Sequence, residues 1–443
     1  MPDQSKNLTS RQKEILSLLR RGLTNAEICR ALNISANTVK VHLANIYKIL
    51  DVTNRTEAAY MDPEEVGSRP AEDNEIRVTF VGGESLDKCP SAKTLFLSIE
   101  ESLNRYRLFS INEKDDTQSP SKYQIKFSGA LNKDEALFVT LYKGTNSEII
   151  WSESLQACSI DDLQRVGTQV AVQLFRHIFH SAAQTYEQDK DASPRWWYAS
   201  CFANVKMENI SRESFEAILS DLESLTKGDK YPIFVAYTLV WVYYVAITES
   251  WVNAKEYVAK IEALACAGMR NNPYSIYAHF MMAVYNMVIG NKNEAVPYLQ
   301  RILAELPQCV RSRRILVQLY MFMGQEDEAL RLLNEGAKFV SESEGALLHS
   351  TPRAFIYLLQ NKLAECEETL KQVLIFHPES TLARLMLIAC NNRMGNFKES
   401  EIHKQAFFKY HPHFQKYDLE LILKGVPSPK KEALLASVSN VFE

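Results

Sequence analysis

Apolar residues recur at helical spacing through the first sixty positions of the chain. In NISANTVKVHLANIYKIL, residues 33–50, Val39, Leu43, Ile46 and Leu50 fall within about 40° of one direction. That stripe is predicted to pack inwards. Asn37, Lys40, Val41, Ala44, Asn45 and Lys48 take the opposite half, a face with two lysines, two amides, two small apolar groups and no acid. Solvated helix faces usually mix both signs, so an acid-free face asks for a partner. Ile15, Leu16 and Leu19 form the apolar stripe of an earlier helix near 10–21, which Gly22 can end. Further helices are predicted near 25–32 and 55–61. Their starts are marked by Thr9 with Gln12, Thr24 with Glu27 and Asn54 with Glu57, each at capping-box spacing. The short NIS stretch between the second and third helices predicts a helix-turn-helix.

The pattern changes at residue 61. MDPEEVGSRPAEDNE, residues 61–75, carries six acids, one arginine and two prolines, and reads as a solvated linker. From 76 to 190 strand and helix alternate: IRVTFVGG, a helix near 90–105, YRLFSI, then three alternating runs that predict an antiparallel meander, closed by a helix near 160–185. Gly82 and Gly83 have no phosphate-loop signature around them and read as a turn. Beyond 194 the pattern is helical and periodic. Pro273 and Pro307 lie 34 residues apart, as do Pro378 and Pro412. Gly290, Glu294 and Ala295 recur 34 residues later as Gly324, Glu328 and Ala329. After three extra residues the same positions are Asn361, Glu365 and Cys366, then Gly395, Glu399 and Ser400. This spacing resembles a tetratricopeptide array over 273–425, with two diverged repeats before it over 194–272 and a tail over 426–443. The aromatics of RWWYAS and VWVYYVAITESW fit either core packing or a concave binding groove. The apolar run 233–247 has fifteen residues, short of the roughly twenty that span a bilayer, and reads as a buried helix.

Composition narrows the reading. The chain of 443 residues is 46% apolar and 23% charged, too long for one core and too apolar for disorder. Residues 1–60 hold nine Lys/Arg against five acids, an excess of +4 that leaves −8 for the rest of a chain of net charge −4. A basic head on an acidic body points to a polyanion partner for the head. The eight cysteines form no CxxC and no cluster with His at metal spacing, which predicts reduced core thiols in a cytosolic protein. The polar N-terminus predicts no signal peptide.

LTSRQKEILSLLRRGLTNAEICRALNISANTVKVHLANIYKILDVTNRTEA, residues 8–58, resembles the LuxR-type (GerE) DNA-binding domain, with Leu8, Thr9, Glu14, Gly22, Ile34, Val39, His42, Ile46 and Val52 among the matching positions. The resemblance implies that the third helix enters the major groove of promoter DNA as one half of a homodimer. Lys40 and Val41 would face base edges, where lysine donates to guanine and valine touches a thymine methyl. Asn25, Ser35, Thr38 and Asn45 would lie near phosphates. Ala44 stands where many relatives carry a polar side chain, and Ile49 and Asp51 also depart from the pattern. His42, at the edge of the inward stripe, reads as a packing residue. The segment YQIKFSGAL through SEIIWSESL resembles the amino-terminal α/β domain of TolB on Gly129, Leu141, Trp151 and the hairpin pattern.

The expected architecture is multidomain and mainly α: a four-helix head over 1–60, a small α/β domain over 76–190 and an α-solenoid. The expected function is a cytoplasmic DNA-binding transcription regulator, with no cofactor, no catalytic residues and no membrane partner. Its repeat body would bind a peptide, a small molecule or a protein effector. A gated sensor and a scaffold with secondary DNA binding are the rival classes. With seven residues ahead of the helix-turn-helix, no receiver domain is expected there, nor phosphoacceptor control.

Overall fold

Period-two alternation after residue 75 buries one face of a five-stranded sheet. In this computed structural model residues 10–20, positions 28, 32, 39, 42, 43 and 46, and residues 75–82, 89–112, 121–131, 136–144, 148–156, 160–208, 211–228, 231–339, 342–423, 426 and 428–442 are described. The chain divides into two units, Met1–Asp73 and Asn74–Glu443, each considered by itself. The first holds helix α1 (Ser10–Arg20).

In the second unit, β1 (Ile76–Val81), helix α2 (Pro90–Asn104) and β2 (Phe109–Asn112) precede β3 (Tyr123–Gly129), β4 (Leu137–Lys143) and β5 (Glu148–Leu155). The sheet order is β2-β1-β3-β4-β5. β1 runs parallel to both β2 and β3, while β3, β4 and β5 form the antiparallel meander that the alternation predicts. Val78 and Phe80, Ile125 and Phe127, and Val139 and Leu141 line the buried face, two residues apart on each strand. Phe80, Phe96 of α2 and Phe127 meet with ring centroids 4.9–5.5 Å apart. The strand register pairs Leu141 with Trp151.

Helix α3 (Ile160–Gln188) closes this layer and also starts the next. Its first half crosses α2 closely, because a Cβ on Gly167 would meet Ser98 Oγ at 2.4 Å. Ser98 Oγ donates to the Gln164 carbonyl beside that crossing (3.3 Å). Its second half turns aromatic. Phe175 stacks on Tyr106 (3.9 Å) and Phe179 meets Trp197 edge-on (5.2 Å).

Six helix pairs follow: α4 and α5 (Arg195–Lys206, Arg212–Leu225), α6 and α7 (Ile233–Thr248, Ala254–Asn271), α8 and α9 (Ile276–Ile289, Lys292–Glu305). Then come α10 and α11 (Val310–Phe322, Glu326–Gly336), α12 and α13 (Glu342–Leu359, Leu363–Phe376), and α14 and α15 (Thr381–Met394, Phe397–Tyr410). The recurring positions have one physical role each. Gly290, Gly324, Asn361 and Gly395 take φ of 91, 74, 58 and 79°, so asparagine supplies the left-handed turn where the third repeat lacks glycine. In each case the next N–H bonds back five residues, as in Asn291 to Asn286 (2.8 Å) and Lys362 to Tyr357 (2.8 Å). Ala295, Ala329, Cys366 and Ser400 are all fully buried, where a small side chain admits the neighbouring helix. The three extra residues lengthen α12, which has 18 residues against 13 in α10 and 14 in α14.

A further repeating feature ties three of these helices back to the prolines before them. His279, Arg313 and Arg384 each bond the carbonyl of the proline six residues earlier, Nε2 of His279 at 2.8 Å from Pro273 O and Nε of Arg384 at 2.7 Å from Pro378 O. The 34-residue step from 279 to 313 was its readable sign.

The array does not stand apart from the sheet layer. Trp196, Trp197 and Tyr198 are buried, and α6 buries thirteen of its sixteen residues. Trp197 packs on Phe179 of α3 and Phe109 of β2, whereas Trp241 packs on Phe280 of α8. Arg107 pairs with Glu305 (3.0 Å), Gln308 Nε2 donates to Ser102 O (3.3 Å), and Tyr277 donates to the Tyr106 carbonyl. Among the described residues no helix is long and apolar enough to cross a membrane. The segment read as a tail is also packed. Helix α16 (Lys416–Ile422) leads to α17 (Ser428–Ser437) and a 3-10 turn (Ser439–Val441), with Leu434, Val438 and Val441 buried. Asn392 Nδ2 donates to Ser437 O (2.7 Å), so this short helix caps the last pair. Its apolar residues are too few to have shown a period.

A buried carboxylate joins distant repeats. Glu249, after α6, accepts from the backbone N–H of Thr381 at the start of α14 (2.9 Å). Thr381 Oγ1 is 3.3 Å from His411 Nε2, itself 2.8 Å from Glu379 O. Burial, the largest influence, raises the Glu249 carboxyl above its usual pKa.

Two predictions follow from these joints. Glu249→Ala leaves the Thr381 N–H unpaired and should lower stability in denaturant titration by about 1–3 kcal/mol. Glu249→Gln keeps an acceptor without the charge. A carboxyl whose folded pKa is raised loses stability as pH climbs from its unfolded pKa, about 4.3, through the folded one. Wild type should therefore match or trail Glu249→Gln at neutral pH and gain on it as pH falls. A gap that widens on acidification would contradict this. In the turns, Gly395→Ala should cost about 1 kcal/mol, since the space around it is open but the φ is not, whereas Asn361→Gly should be neutral within a few tenths.

Candidate nucleic-acid interface

The first unit is built from an amphipathic start. α1 has the sequence SRQKEILSLLR, and its Ile15, Leu16 and Leu19 are at most 2% exposed. Ile28, Leu32, Val39, His42, Leu43 and Ile46 are helical. Of these, Ile28, Val39, Leu43 and Ile46 are buried. The inward stripe predicted for the third helix is thus present at each of its described positions, 39, 43 and 46. Leu50 lies outside the described residues. His42 is half-buried beside that stripe.

Arg11 ties the start of α1 to a second segment. Its Nη2 donates to the Leu32 carbonyl at 2.9 Å, and its Nη1 pairs with Glu14 at 2.6 Å. Cations at the C-terminal end of a helix satisfy carbonyls that have no partner within the helix. Arg11 lies inside the segment that resembles the LuxR-type domain, and its partner Leu32 is 21 residues farther on. A charged residue three before Glu14 on the rim of an apolar stripe was the sign of its role.

Asn25, Ser35, Asn37, Thr38, Lys40, Val41, Ala44, Asn45 and Lys48, the residues expected to touch DNA, all lie outside the described residues. So do Thr9, Thr24, Glu27, Asn54 and Glu57 of the capping boxes.

Comparison with known proteins bears on the start of the chain and on the repeat body. Residues 6–61 match the family of bacterial regulatory proteins of the luxR type. Residues 290–349 match the tetratricopeptide repeat. The chain is similar to a putative HTH-type transcriptional regulator, YhjB, of Escherichia coli, 57% identical over 56 residues that are 13% of this chain and 28% of that one. It is similar to the CsgBAC operon transcriptional regulatory protein of the same organism, 56% identical over 55 residues, 12% and 26% of the two chains. It is also similar to the transcriptional regulatory protein LiaR of Bacillus subtilis, 50% identical over 59 residues, 13% and 27%. The chain thus spans about a quarter of the length of the curated relatives it matches. The segment 6–61 is a luxR-type helix-turn-helix, and the relatives that share it are transcription regulators.

Proposed function

We propose that this protein is a cytoplasmic transcription regulator that reads promoter DNA through its first sixty residues and is controlled through its repeat body. The observation that carries the proposal is the match of 6–61 to the luxR-type family over a core whose described positions are buried as that helix arrangement requires. A helix that buries Val39, Leu43 and Ile46 turns positions 37, 40, 41, 44, 45 and 48 the other way by its spacing alone. On this reading Lys40 and Val41 read base edges, Ala44 offers a small apolar contact, and Asn25, Ser35, Asn37, Thr38, Asn45 and Lys48 hold the backbone.

The protein acts as a homodimer on DNA, because one head reaches too few bases for selective binding. The acidic excess beyond residue 60 argues against a second DNA contact there, since approach to the duplex would release no counterions. The sheet layer at 76–190 is a TolB-like module that fixes the start of the array, and an effector acts by preferring one arrangement of the protein over another.

Lys40→Ala should weaken binding to the mapped operator by about 1–3 kcal/mol and relax base preference, read by gel shift against single-base operator variants. Arg11→Ala should behave differently. It loosens the head and lowers its melting midpoint while leaving the ranking of operator variants unchanged. Equal binding by wild type and Lys40→Ala would sink the base-reading assignment. Dimeric binding predicts protection of two half-sites separated by about one helical turn or a multiple of it. A single protected half-site at saturation would refute it.

A further inference from the structure

Helix α10 opens with three arginines, VRSRR, and they have separate fates. Arg313 is buried and its donors go to the carbonyls of Leu332 and Pro307. Arg311 and Arg314 are half-buried on the other side. The guanidinium carbon of Arg311 lies 4.8 Å from the Trp241 ring centre and 5.6 Å from that of Tyr237. Arg314 lies 5.9 Å from Trp241. Farther along, the Tyr244 hydroxyl donates to Gln318 Oε1 at 2.7 Å. Positions 237, 241 and 244 of α6 therefore meet positions 311, 314 and 318 of α10, a stripe of rings against a stripe of cations and amide.

Among the described residues no carboxylate lies within 4.0 Å of either guanidinium. Other arginines of the body are spent: Arg107 on Glu305, Arg331 on Glu328 and Glu335, Arg384 on Pro378. Glu249 feels the field of Arg314 but gives its oxygen to Thr381. Burial and Arg314 hold His377 below its usual pKa, so it adds no competing charge. Two planar, always-charged groups are thus held over aromatic faces, Arg311 also bonded to the Tyr237 side chain, and neither is neutralised by a paired acid among the described residues. Stacking limits their rotamers, and partial burial strengthens any charge-assisted bond they make.

We propose that Arg311 and Arg314, backed by Trp241 and Tyr237, bind a small acidic ligand through its carboxylate or phosphate groups. This deepens the reading of the body as an effector-binding module and rests on it. The site lies where α6 meets α10, two pairs apart in the array, with both cations on α10 and the rings behind them on α6.

The test uses the full chain and two probes, citrate and inorganic pyrophosphate, titrated by calorimetry at constant ionic strength. Saturable binding of at least one is expected, weakened about tenfold or more in R311Q/R314Q and unchanged in R331Q, a control at an exposed arginine already paired with two glutamates. Citrate alone would identify a carboxylate ligand, and pyrophosphate alone a phosphate ligand. R311K/R314K keeps the charge but loses the planar fork. It serves if the glutamine variant fails to fold, and should also bind more weakly. No saturable binding of either probe, or equal binding by wild type and a folded variant, overturns the proposal. Gel shifts on the same preparations separate the two readings. Operator binding indifferent to a bound probe removes the effector role and leaves the site, whereas operator binding with no calorimetric signal removes the site alone.

Discussion

Helix α3 has to satisfy two partners at once, and the second unit is arranged around that demand. At 29 residues it is about 44 Å long, more than a small sheet can cover. Gly167 brings its first half against α2, where side chains of ordinary size would hold the helices apart. Phe179 and Tyr186 make its second half a core element of the array, with Phe175 partly buried against the sheet layer. That half packs on Trp197 and Phe202 of α4 and Phe234 of α6, so the sheet layer and the repeats share one continuous apolar cluster. Hydrophobic burial of this kind is non-directional. Direction comes from the polar pins at its border, Arg107 with Glu305 and Gln308 with Ser102, which hold the sheet layer in one position against the array.

What could be read from residue order follows from how local each cause is. The meander of β3, β4 and β5 was legible because alternation and tight turns act within a few residues. The helix pairs were legible because each repeat solves the same packing problem, so the left-handed position recurs even where Asn361 replaces glycine. The inward stripe of the head was legible for the same reason, and Val39, Leu43 and Ile46 lie where it placed them. The bond from Glu249 to Thr381 was not, since 132 residues separate its ends and neither carries a periodic sign. Nor was the burial of the tryptophans at 196 and 197 against α3, which depends on which side of the array the sheet layer occupies. The helix at 428–437 carries few apolar residues, and they only make sense against α14.

Charge is distributed with the same economy. The excess of basic residues lies in the first sixty positions, whereas Arg107, Arg313, Arg331 and Arg384 of the body are consumed in structure. His279, Arg313 and Arg384 spend their donors on proline carbonyls, a use that needs a cation or a neutral donor but no acid. Counting charges along the body therefore overstates what is available to a partner. The distinction between consumed and unconsumed guanidiniums decides where recognition chemistry can occur, and it rests on hydrogen bonds that composition does not reveal.

The joint between Glu249 and Thr381 also bears on how such an array can change over generations. Open solenoids grow and shrink by whole repeats, because each unit touches only its neighbours. Here the turn inside the second pair grips the start of the sixth, and three whole pairs stand between them. A duplication or loss of 34 residues in that interval would carry Thr381 away from Glu249 and strand a buried acid. The array has in effect a set length, like a ring that has been closed. Lineages of this protein should vary in repeat sequence while conserving repeat number between positions 249 and 381.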